Sequence, residues 1–239
     1  VFFVCAVLVI VGAAVQVAVG AGLSVVCGAF LILWLGPGAG VPVLLCLNLL
    51  LSVVATGFGG VRLRWGDVLL ASGSTVAGCL VASAVPGLSD RVMKALTAAV
   101  LVAIAAPRPR VAGLAPSRVV GAAGVSLAGL VTGALTVWTA TPGPITPVTL
   151  AWAGRSGADI RRVMQPVGVV GYAAALAWVG GLSLGVVGSD VLAGLVVATL
   201  VGTGLGFVLR QRIDPARAVV LVRIVAGAAA LLLVVSLVR

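Results

Sequence analysis

The chain contains no histidine and no glutamate, and its only acids are Asp67, Asp90, Asp159, Asp190 and Asp214. Imidazole metal sites, Ser-His-Asp triads and paired-carboxylate hydrolysis all lack their parts. No catalytic residue, metal site or cofactor is expected, and the chain does not read as an enzyme. Charge of either sign is scarce: 8% of 239 residues, where a soluble domain carries about 25%. Four cysteines, Cys5, Cys27, Cys46 and Cys79, lie far apart in apolar sequence with no CxxC pair. They read as small buried hydrophobes, with a sulfur-handling thiol as the lesser alternative. No nucleotide-binding loop is present, so ATP would have to come from another chain.

Apolar sequence is what the chain has in abundance. Hydrophobic residues make up 62% of it, and the mean hydropathy is +1.33. So little charge on so apolar a surface would aggregate in water, and the composition indicates an all-α polytopic membrane protein. Its first partner is the lipid bilayer. Fifteen Lys and Arg against five acids give a net charge of +10. No basic patch with interleaved aromatics accompanies that excess, which excludes nucleic acid as a partner. The basic residues sit between apolar runs, as cytoplasmic loop arginines do. A few residues are expected ahead of Val1, and 1–19 reads as a membrane element rather than a signal peptide, because no basic stretch precedes it.

Charge-free runs mark eight helical segments: 1–35, 41–59, 66–85, 91–106, 119–153, 161–182, 188–209 and 217–238. Segments 1–35 and 119–153 exceed the roughly 20 residues of one crossing. Each carries a break that is expected near its middle, at Gly20-Ala21-Gly22 and at Ala140-Thr141-Pro142-Gly143-Pro144. An internal repeat accounts for the pair. Gly36, Asp67-Val68-Leu69 and Arg91 recur as Gly154, Asp190-Val191-Leu192 and Arg217. The expected units are 1–107, a loop over 108–117, and 118–239.

Arginine positions choose the topology. If all eight segments crossed once, Arg155, Arg161 and Arg162 would fall opposite Arg108, Arg110 and Arg118. If the two broken segments instead enter, turn and leave on the same side, twelve basic residues share the inside. These are Arg62, Arg64, Arg108, Arg110, Arg118, Arg155, Arg161, Arg162, Arg210, Arg212, Arg217 and Arg223; only Arg91, Lys94 and Arg239 lie outside. That split satisfies the positive-inside rule. Each repeat is then a re-entrant hairpin plus three crossings, an odd number, so the second copy is inverted. This is a recurring transporter plan.

The breaks are the candidate site. A half-helix N-terminus presents free N–H donors and about half a positive charge, which suits an anion. Gly20, Gly22 and Gly143 would allow close backbone approach. Gln16, Asn48 and Gln165 are the strong polar side chains within apolar runs, and an amide can donate two N–H bonds to an oxyanion without carrying charge. Thr139, Thr141 and Thr146 flank the second break with hydroxyls. The alternative for each is structural: a kink, an interhelical hydrogen bond or a helix-backbone bond. The spacings Gly129–Gly133, Gly181–Gly185 and Gly202–Gly206 read as close helix packing. The five acids sit at segment ends, as caps or arginine partners, and leave no carboxylate relay within the membrane.

Two stretches resemble the TauE/SafE sulfite-exporter family of small bacterial anion transporters. One is Gly12-Ala13-Ala14-Val15-Gln16-Val17-Ala18-Val19-Gly20-Ala21-Gly22, whose glycine run is shorter than is typical of that family. The other is Gly129-Leu130-Val131-Thr132-Gly133 followed by Thr141-Pro142-Gly143-Pro144. The resemblance implies export of a small anion such as sulfite or an organic sulfonate across a bacterial inner or plasma membrane. It is compatible with a homo-oligomer. The other function weighed is a non-transporting membrane scaffold or subunit of a larger complex.

Overall fold

Ten helices order the chain in a computed structural model, which describes residues 1–20, 22–58, 65–85, 87–106, 118–141, 145–152, 157–179, 187–210, 212 and 215–238. They are α1 (Phe2–Val19), α2 (Leu23–Leu35), α3 (Pro37–Gly57), α4 (Trp65–Ser83), α5 (Asp90–Ala105), α6 (Arg118–Thr139), α7 (Ile145–Trp152), α8 (Gly157–Trp178), α9 (Ser189–Leu209) and α10 (Pro215–Val238). The fold is that of an all-α polytopic membrane protein. Among the described residues, five stretches are long and apolar enough to cross a bilayer: α3, α4, α9, and residues Gly121–Thr139 and Val220–Val238 of α6 and α10. Large apolar side chains such as Val197, Val201, Val208, Ile224 and Leu231 stand exposed along α9 and α10. So continuous an exposed apolar face suits a bilayer.

Helix starts follow local chemistry. Asp67, Asp90, Asp159 and Asp190 each occupy the first turn of a helix, where a carboxylate offsets the positive end of the dipole. The Ser89 side chain accepts the Val92 N–H at the start of α5. Asp159 also lies 3.6 Å from Arg162, an exposed pair worth little by itself. Between the expected segments 1–35 and 41–59 the chain needs only one turning residue, Gly36, at φ 77°. Pro37 supplies a pre-set first helical residue, and Gly40 then lies against Leu31 O, where a Cβ would come within 2.9 Å. The run therefore closes α2 onto α3.

Both long segments are broken where expected, at Gly20–Gly22 and between Thr139 and Ile145. The first gives 18 residues before the break and 13 after; the second gives 22 and 8. Close packing extends the leading arms. Along α6, Gly129 meets Ala71 and Ser74, and Gly133 meets Thr75 and Cys79, while Gly78 of α4 meets Leu130. Along α9, Gly194 meets Phe2, Gly202 meets Ile10, and Gly206 meets Ala14 and Val17. Two of the three GxxxG spacings are thus helix-packing seams; Gly181–Gly185 lies outside the described residues.

These contacts fix relative directions. Contact numbers rise together along α1 and α9, and along α4 and α6, so both pairs run parallel. Helices α5 and α10 run antiparallel, since Arg91 Nη2 donates to Leu237 O at 3.4 Å while Gly227 faces Ala105. The two five-helix sets, α1–α5 and α6–α10, thus end on helices that oppose each other, and the first helix of each packs along the fourth of the other.

Helix α2 lies at the centre of this arrangement. It is apolar all round, and nine of its thirteen residues are buried, the signature of a core helix. The main core gathers α1, α2 and α3 with parts of α4, α5, α6, α8, α9 and α10. A smaller cluster joins Val68, Ala71, Val125, Leu150, Val163 and Val167 across α4, α6, α7 and α8.

Candidate functional site where the two breaks meet

At the first break the chain turns through Gly20, at φ 95°, with its N–H donating to Gln16 O at 2.7 Å. This left-handed exit is the ordinary use of glycine after a helix. Gly22 serves a different need. A Cβ there would come within 2.7 Å of Gln16 N and 2.8 Å of Gly12 O, so α2 can leave this close to α1 only without a side chain. Gln16, buried, then turns its amide oxygen onto the new helix: Leu23 N–H donates to Gln16 Oε1 at 2.9 Å. The oxygen caps α2 from seven residues upstream, filling one of the orphan donors of the first turn.

At the second break α6 ends at Ala140, whose φ of 50° is left-handed without being glycine, a conformation costing roughly 1–2 kcal/mol for an L-residue. Threonines hold the turn. Thr139 Oγ1 donates to Leu135 O and accepts the Thr141 N–H at 3.2 Å, while Thr141 Oγ1 donates to Thr139 O at 3.1 Å. Thr146, fully buried on α7, shares a 2.8 Å hydroxyl contact with Thr132 of α6, which ties the short arm to the long one. Gly143, with Pro142 and Pro144, lies outside the described residues.

The two breaks touch. Ser24, one residue into α2, donates its hydroxyl to Ala140 O at 2.7 Å across 116 positions of sequence. Asn48, fully buried on α3, donates from Nδ2 to Ser24 Oγ at 2.9 Å and to Leu44 O at 2.8 Å. A directed chain therefore runs from Asn48 through Ser24 to the end of α6. Of the expected residues, Gln16, Gly20, Gly22, Asn48, Thr141 and Thr146 build the breaks and their supports. Gln165 is half-buried on α8, one turn before Gly168, where Ser52 of α3 packs. Three of the four cysteines are buried and Cys46 is half-buried, as small hydrophobes would be.

Sequence reasoning missed Ser24 and Ser52, and it placed Ala140 in the second break without its left-handed conformation. Ser24 had a signal: a lone hydroxyl two residues after the Gly22 break in an otherwise apolar run. The Ala140 conformation had none, because alanine does not announce a positive φ. Among the described residues no group of histidine, cysteine or acid could hold a metal ion. No family model, no curated protein and no solved structure matches the chain.

Proposed function

We propose that the protein is a secondary transporter that moves a small anion by alternating access, with the anion bound where the two helix breaks meet. The observation that carries this reading is the hydrogen-bonded junction of Ser24 with Ala140 in an otherwise apolar core. Broken helices expose backbone groups that lipid cannot satisfy, so such breaks occur where protein or a water-filled path covers them. Two of them brought together from the two five-helix sets match the plan of transporters that bind at the repeat interface. Helix α2 aims its first-turn N–H groups at the junction, and an anion is the ligand that such a helix start favours. The glycine-rich stretches that resemble the TauE/SafE exporters support a sulfur oxyanion or an organic sulfonate as the substrate, and a bacterial cell membrane as the location.

Gly143→Leu tests the reading. A branched side chain beside Pro142 and Pro144 would block backbone access to the anion without stopping insertion. Losing one charge-assisted hydrogen bond corresponds to at least about tenfold weaker binding. Gly204→Leu, where a Cβ would meet nothing within 4 Å, is the control and should bind like the parent. Uptake of radiolabelled sulfite into reconstituted vesicles, with binding measured in detergent, reads both variants. A Gly143→Leu protein that binds and moves the anion like the parent removes the second break from the site. A parent that neither binds nor moves any small anion leaves the scaffold reading in its place.

A further inference from the structure

Asn48 has an exact donor count. Its amide nitrogen carries two hydrogens, and both are spent, one on Leu44 O and one on Ser24 Oγ. Two neighbours force that orientation. A backbone carbonyl can only accept, so Leu44 O requires nitrogen beside it. Ser24 gives its one proton to Ala140 O, so it too can only accept from Asn48. The other amide atom, Oδ1, takes part in neither bond. It is buried on a residue with no exposed surface, and it has no hydrogen-bond partner among the described residues. One turn further along the same face of α3, Ser52 Oγ is in the same state, also buried and unpartnered.

An orphan acceptor in a dry core calls for a donor. It sits beside the start of α2, where the helical ladder begins with Val26 N–H on Gly22 O, so the Ser24 and Val25 N–H groups precede the ladder. The Asn48 amide, through its 2.9 Å contact with Ser24, thus adjoins the first turn of α2. A fully ionised oxyanion satisfies those N–H groups and is repelled by Oδ1. A molecule with one charged oxygen and one remaining O–H satisfies both.

We infer that the carried substrate is an oxyacid monoanion that still bears a hydroxyl. Its charged oxygen faces the first turn of α2, and its O–H donates to Asn48 Oδ1. The inference rests on the transporter reading and narrows its substrate class. It also gives a proton a route in a chain with no histidine and no glutamate, whose helical aspartates stand in first turns, because the proton crosses on the substrate itself.

The test uses matched pairs in which O–H is replaced by CH3 at constant charge: hydrogencarbonate against acetate, and hydrogensulfite against methanesulfinate. Binding to the full-length parent in detergent is followed by calorimetry at mildly acidic pH for the sulfur pair and near neutrality for the carbon pair. The hydroxylated member of each pair should bind about tenfold tighter, the factor expected for one hydrogen bond to a charged ligand. Affinity for total sulfite should also fall as pH rises through the ligand's own second ionisation, while methanesulfinate stays flat. Asn48→Leu should erase the difference within each pair; the parent comparison stands whether or not that variant folds. Equal binding within both pairs overturns this inference and leaves the anion transporter intact. Binding of neither member of either pair overturns both.

Discussion

Gly133→Val is expected to cost about 3 kcal/mol or more and to remove most of the folded protein from a detergent extract. Overpacking a core usually costs about 1–3 kcal/mol, because side chains can shift out of the way. Here they cannot. A Cβ at Gly133 would collide with Thr75 O and come within 2.9 Å of Cys79 N, both backbone atoms of α4. The whole of α6 would have to move, and the Gly129 and Gly78 contacts along the same seam would open with it. In lipid such seams supply much of the force between helices, since the hydrophobic effect does not act there. Gly124→Val, on the same helix but with nothing within 4 Å of its Cβ, should leave yield and melting temperature near the parent values. Monodisperse yield after size-exclusion chromatography checks both, and equal yields would mean that α4 and α6 do not pack this closely.

Ser24→Ala is expected to destabilise by about 2 kcal/mol. Single interhelical hydrogen bonds in membrane bundles average only about 0.6 kcal/mol, because the unfolded chain in lipid also finds partners. Ser24 is not a single bond. Its loss leaves one Asn48 N–H and the Ala140 carbonyl both unpaired in the core, and each stranded group costs about 1–3 kcal/mol. The orphan terms outweigh the average. Ser83→Ala is the control, because that hydroxyl is exposed and returns to Leu80 O within its own helix; it should stay within about 0.5 kcal/mol of the parent. Thermal unfolding in detergent measures both variants. A Ser24→Ala protein as stable as the parent would mean that the breaks are not held together by this chain.

Helix number, the two broken segments and the packing role of two GxxxG spacings were legible in the sequence, because charge-free length and small-residue spacing act locally. The places of both breaks were legible too, since α1 and α2 part at Gly20–Gly22 and α6 and α7 part between Thr139 and Ile145. The polar residues were found more readily than their partners. Gln16 and Asn48 stood out as amides in apolar runs, but composition alone gave both the role of donors to an anion. In the fold Gln16 Oε1 accepts from α2 and Asn48 spends its donors on Leu44 and Ser24. Which atom of an amide remains available depends on its neighbours, and these come from other helices.

The transporter reading depends on α1–α2 and α6–α7 returning to the sides from which they start. Single cysteines placed at Arg108 and Arg155, in a background lacking Cys5, Cys27, Cys46 and Cys79, test this directly with a membrane-impermeant thiol reagent on sealed vesicles of known orientation. Arg62→Cys and Arg210→Cys mark the inner side, and Arg91→Cys marks the outer. Cysteines at 108 and 155 should both label from the inner side alone, because residues 119–153 between them make no net crossing. Labelling of 108 and 155 from opposite sides would contradict the hairpin and the inverted halves together.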